Sequence, residues 1–207
     1  MYTTVRRVLL HEYAKYRTHL KSLDTESKVL RFGYTVSDYI LDTLCDKFEA
    51  NPHKHILFCI ENDQLEFVAV GHISLEGEME LAFSVLKDYQ GQGMGNKLMK
   101  RCIQYCRTHN VLKGCMVCLS TNSRIKHLCD KYSITMENEL GETLANIQLP
   151  CADMHTYVEQ ATSSNMAVVD YLSKRITNPI AFFTKGIYNN CNSTMLLQTQ
   201  KHYTQEI

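Results

Sequence analysis

The chain has 207 residues, 44% of them hydrophobic and 21% charged, a composition that suits one soluble globular domain, alone or with a tail. Lys+Arg and Asp+Glu balance at 22 each, so no global field recruits nucleic acid or an anionic membrane. No stretch approaches the ~20 apolar residues of a membrane span, and the early apolar run Val8–Leu10 is too short for a signal-peptide core, so a cytoplasmic protein is expected.

In chain order, a short strand at 2–8 precedes a helix over 9–23, on which Leu9, Tyr13, Tyr16 and Leu20 recur at helical spacing. A connector then leads to a second helix capped by Ser37 or Asp38, with Ile40, Leu41, Leu44 and Phe48 as its apolar stripe. "NPHK" at 51–54 breaks the pattern, and "ENDQ" between two apolar runs predicts a hairpin with strands 55–61 and 65–75. After the turn "EGE", a strand at 79–86 runs into "YQGQGMG", and a helix over about 95–109 follows. A strand at 115–120, a helix over 122–132 and a hairpin at 134–149 complete the pattern, which Pro150 closes. Residues 153–176 predict one helix or two, and the last twenty residues a polar tail. The division expected is 1–150 as the catalytic domain and 151–207 as a helical extension with that tail. The alternation predicts an α/β (α+β) fold, a mixed and mostly antiparallel sheet of 6–7 strands with helices on both faces.

The nine cysteines and nine histidines form no ligand-spaced set, and the one CxxC, "CMVC" at 115–118, lies in a strand where residues three apart face opposite ways. The cysteines read as small buried hydrophobes of a reducing compartment, and no metal is expected.

Three of nine glycines, Gly91, Gly93 and Gly95, fall within five residues between a strand's end and a helix's start. Bare backbone there can curl round an anion, with helix N-terminal N–H groups pointing inward, and a phosphate or diphosphate is the natural guest. A Walker loop is absent, and the spacing misses the dinucleotide GxGxxG by one residue.

"VLKDYQGQGMG" resembles the V-x4-[RQ]-x-x-G-x-[GA] motif of the GCN5-related N-acetyltransferases (GNAT), with Val85, Gln90, Gly93 and Gly95 at the four defined positions. The resemblance covers roughly residues 2–149. It implies acetyl-CoA as cosubstrate, its diphosphate on the backbone of Gln90, Gly91, Gln92, Gly93, Met94 and Gly95, and its pantetheine arm in a splay between the central strands. Phe83, Val85 and Asn122 would also touch the coenzyme. Acetyl transfer to a primary amine needs a base, an oxyanion donor and an acid for the leaving thiolate. Glu80, on the central strand, is the candidate base, with partial burial raising its pKa. Relatives place a tyrosine seven residues after the asparagine, but that position is Cys129 here, and Tyr132, one turn on, is the candidate acid, with Cys129 or water as alternatives. The function implied is an N-acetyltransferase working in a ternary complex. The alternative is a non-catalytic acyl-CoA-binding module, or a scaffold that assembles through its C-terminal extension, with a homodimer as one outcome.

Overall fold

A computed structural model of the chain describes residues 3–177. Seven strands form one sheet in the order β1-β2-β3-β4-β5-β7-β6. They span Arg6–Arg7, His55–Glu61, Phe67–Ser74, Met79–Val85, Lys113–Leu119, Thr135–Glu139 and Glu142–Gln148, numbered β1 to β7 in chain order. Every neighbouring pair is antiparallel except β4 and β5, joined by the crossover through α4 (Met94–Thr108). The predicted strand at 2–8 is two residues long among the described ones, and the predicted helix over 9–23 resolves into a 3-10 turn at Leu10–Glu12 and α1 at Tyr13–Lys21.

Two cores lie on opposite faces of the sheet. One packs Tyr16, Leu20, Leu41 and Phe48 from α1 and α3 (Asp38–Ala50) on Leu57, Cys59 and Val70. The other packs Leu98, Met99 and Cys102 of α4 on Phe58, Ala69 and Leu81. All seven residues of β2 are therefore buried, alternate side chains entering alternate cores. Ser37 caps α3, its hydroxyl accepting from the Ile40 N–H. The buried stripe of α3 is Leu41, Cys45 and Phe48, whereas Ile40, expected in it, is exposed.

The expected connector holds a helix of its own, α2 (Thr25–Phe32). The Asp24 carboxylate accepts from the Ser27 N–H at 2.9 Å, and Gly33 ends the helix in the left-handed region at φ 82°. No α2 residue is fully buried, because this helix lies along β4 and β5 where they part.

Residues 154–177 form one helix, α6, following α5 (Ser123–Lys131) and the β6–β7 hairpin. It packs along α4, where Arg101 donates to Ser164 Oγ at 2.6 Å, and reaches the sheet edge, where Lys174 donates to the Glu61 carbonyl at 3.2 Å. Its outer face carries exposed Met154, Tyr157, Val158, Val168, Val169 and Leu172. The polar tail expected beyond it lies outside the described residues. Among the described residues, no helix is long and apolar enough to cross a membrane.

Candidate active site

β4 and β5 pair at only two positions, Met79 with Gly114 and Glu80 with Cys115. Beyond them the strands separate, and a cavity of about 510 Å³ opens between Leu81–Val85 on one side and Met116–Cys118 on the other. This is a small-molecule-sized cleft, and the loop at 90–95 forms its mouth.

That loop is built for an anion. Gly91 and Gly93 sit at φ 76° and 75°, a conformation in which other residues are strained. A Cβ on either would meet no atom within 4 Å, so the conformation and not a lack of room is what asks for glycine there. Among the described residues, none of the main-chain N–H groups from Gly91 to Asn96 donates to a protein acceptor. The Gln90 N–H, expected to join them, is already spent on the Lys87 carbonyl at 3.2 Å. The Gln90 side chain instead donates to the Val85 carbonyl at 3.0 Å and Ser27 Oγ at 3.1 Å, pinning the loop to β4 and α2. The Gln92 side chain turns back to the Asp88 carbonyl and does not line the cavity. Gly93 precedes the first turn of α4, so bare donors and the positive end of the helix dipole converge there. Arg124 and Lys131 of α5 add positive charge to the wall.

A chain with Val85, Gln90, Gly93 and Gly95 around such a cradle, on a sheet that opens beside it, matches the acetyltransferase (GNAT) family model over residues 19–131, more than half of its length. The chain belongs to the GNAT family. Solved structures repeat the fold. The GNAT domain of S. lividans PAT superposes with a TM-score of 0.61 at 18% identity, over 71% of this chain and 90% of that one. Spermidine N-acetyltransferase from Vibrio cholerae, in complex with CoA and spermine, gives 0.55 at 15%, over 70% and 93%. PaiA N-acetyltransferase from Thermoplasma acidophilum, in complex with coenzyme A, gives 0.55 at 10%, over 72% and 99%. At such identities the likeness is one of fold. No curated protein matches the chain.

Within the GNAT frame, the structure gathers Phe83, Val85, Gln90, Gly91, Gly93, Met94, Gly95 and Asn122 around the cavity. Asn122 does two things there, lining the wall and capping α5 by accepting from the Ile125 N–H at 3.3 Å. The remaining expectations diverge. Glu80 is exposed and does not line the cavity, so the expected burial does not hold; it stands at the closed end of the seam, where the strands still touch. The Tyr132 hydroxyl donates to Asn96 at 3.2 Å, tying the end of α5 to the start of α4, so Tyr132 stands behind a lining residue and does not line the cavity itself. Cys129 is fully buried in the α4-side core, its thiol pushed up to about 11 by that burial. Cavity-facing and core-facing positions of α5 lie one helical turn apart, too close for residue spacing to separate them.

Two polar pairs come from the tertiary structure alone. Ser84 lines the cavity from β4, and its Oγ lies 2.9 Å from Nε2 of His19. His19 Nδ1 lies 2.8 Å from the Phe67 carbonyl, which can only accept, so Nδ1 carries the proton and Ser84 donates to Nε2. The serine's lone pairs are thereby left for a ligand. The second pair, Arg31 and His72, joins α2 to β3 at 3.4 Å.

Burial lowers the His19 pKa from 6.5 to about 4. The unfolded chain thus takes up this proton near 6.5 and the folded chain only near 4, so stability is full at pH 7 and falls as pH drops through that window. The loss expected from His19 is on the order of 3 kcal/mol. Urea midpoints at pH 7 and pH 4.5 should show it, and His19→Gln should flatten the dependence; an unchanged pH profile in that variant would contradict this assignment.

Proposed function

We propose that the protein transfers an acetyl group from acetyl-CoA to a primary amine by direct attack within a ternary complex. The observation that carries the reading is the conjunction of six bare N–H groups from Gly91 to Asn96 with a seam that opens immediately beside them. The turn and the basic α5 wall would hold the diphosphate, and Ala82 to Val85, left unpaired toward β5, offer backbone for a strand-like arm. When bound, acetyl-CoA supplies the thioester that the amine attacks. A main-chain N–H along Phe83–Val85 would meet the developing oxyanion. Glu80 at the closed end would take the amine's proton, directly or through water, and water would return one to the thiolate, since Tyr132 and Cys129 are engaged elsewhere.

That engagement favours a second reading, an acyl-CoA-binding module without catalysis. The two part on one measurement. Purified protein should bind CoA by calorimetry and release free thiol from acetyl-CoA in the presence of an amine from a broad panel, and Glu80→Gln should slow the release at least tenfold. CoA binding with no thiol release from any amine supports the module; no CoA binding defeats both.

A further inference from the structure

The charges around the cavity are one-sided. Its lining includes Arg31, Arg124 and Lys131, and no Asp or Glu. Arg124 and Lys131 stand together on α5, whereas Arg31 comes from α2 and serves a different part of the seam.

The sheet register places it. At one end of α2, Ser27 touches Gln90, which is bonded to the Val85 carbonyl. One turn on, Arg31 touches His72, which sits opposite Ala82 in the β3–β4 ladder. From Val85 back to Ala82 is about 10 Å of strand. Arg31 therefore lies deep in the seam, away from the diphosphate cradle and on the side where acyl transfer would occur.

Its charge is also uncompensated. Among the described residues no carboxylate pairs with Arg31, and its hydrogen-bond partners are neutral groups, the imidazole of His72 and the phenol of Tyr16. His72 accepts at Nδ1, so its proton sits on Nε2, which donates to His55 Nδ1 at 3.1 Å. Both rings are buried, and burial lowers both pKa values, so they aim the guanidinium without neutralising it. The nearest acid along this line, Glu76, lies behind His55 at 3.5 Å and is paired with Lys47 at 2.5 Å. A positioned guanidinium with free donors is matched by a carboxylate, to which it can bond in bidentate fashion. A polycationic acceptor would find no counter-charge in this cleft.

Taking the acetyltransferase reading as its basis, we infer that the acceptor is a small amine carrying its own carboxylate, of the amino-acid class, and that Arg31 is the residue that selects it. The strand spacing suits this. Glu80 lies two residues from Ala82 on the same face, about 7 Å along β4, so an acceptor with its carboxylate at Arg31 can direct its ammonium toward Glu80.

The test uses the full chain, acetyl-CoA and matched amines that differ only in the carboxylate: tyrosine against tyramine, lysine against cadaverine, phenylalanine against phenethylamine. The carboxylated member of at least one pair should be preferred at least 100-fold in kcat/KM, and Arg31→Gln should cut that ratio below tenfold, mainly through KM. Arg31→Lys should restore part of the preference. In parallel, calorimetry with CoA-loaded protein reads binding of the same amino acids without requiring turnover, and Arg31→Gln should abolish it while CoA affinity shifts less than threefold. Preference for the decarboxylated members overturns the inference, as does a preference that survives Arg31→Gln, or a loss of kcat that is equal for both members of a pair. If CoA does not bind at all, the acetyltransferase reading itself has failed.

Discussion

Gly93→Glu should weaken CoA binding by more than 100-fold and leave a folded protein. The backbone at Gly93 has φ 75°, a Cβ there meets nothing within 4 Å, and the residue lines the cavity mouth among the bare N–H groups. A glutamate would fill the cradle and bring a negative charge within ~5 Å of a guest diphosphate. At an effective dielectric near 20, each such charge pair costs about 3 kcal/mol, which alone exceeds a hundredfold in affinity. Folding suffers less, since a single non-glycine residue in the left-handed region costs about 1–2 kcal/mol. Gly93→Gln separates the contributions, because it carries the same strain and nearly the same bulk without charge. Calorimetry with CoA should rank wild type above Gly93→Gln and Gly93→Glu last. Equal affinities in all three would mean that the anion lies elsewhere.

Gly114→Ala should destabilise the fold by more than about 3 kcal/mol, the upper range for overpacking. Here the demand for glycine is close approach. A Cβ on Gly114 would sit 2.2 Å from the Met79 carbonyl oxygen and 2.7 Å from Met79 Cε. A side chain could rotate away, but a carbonyl held in the β4–β5 pairing cannot. Met79–Gly114 is one of two paired positions joining the β1–β4 half of the sheet to the β5–β7 half. Relief therefore requires the halves to separate at their only parallel contact. For a chain of this size the melting temperature should fall by roughly 6–12 °C or more. A melting point within 2 °C of wild type would show that the junction is looser than the geometry states. CoA binding should fall too, because the same junction sets where the seam begins.

Much of this architecture was legible in local patterns. The β2–β3 hairpin followed from two apolar runs around "ENDQ", and α4 from its periodicity after the glycines. The Gln90 of the motif proved to be a tether. Helix α2 also left signals that an apolar-periodicity reading passes over: Asp24 three residues before Ser27, and Gly33 just past Phe32. Its apolar stripe is weak because it borders a cleft and buries no residue completely. Tyr132 went the other way, since one helical turn separates a cavity wall from a core contact, and only its packing against the α4-side core shows which it faces.

The turn at residues 90–95 is written in the local chain, because a left-handed glycine and an uncapped helix start are properties of a few adjacent residues. The family is written there too, through four residues at set spacing. Where β4 and β5 part is visible only once the chain is folded, since that depends on strands more than thirty residues apart meeting at two positions. The same holds for Arg31 meeting His72 and His19 meeting Ser84, contacts spanning 41 and 65 residues. Whether a cleft is charged one way or the other is a sum over side chains that the chain order scatters, and folding is what collects them on one wall.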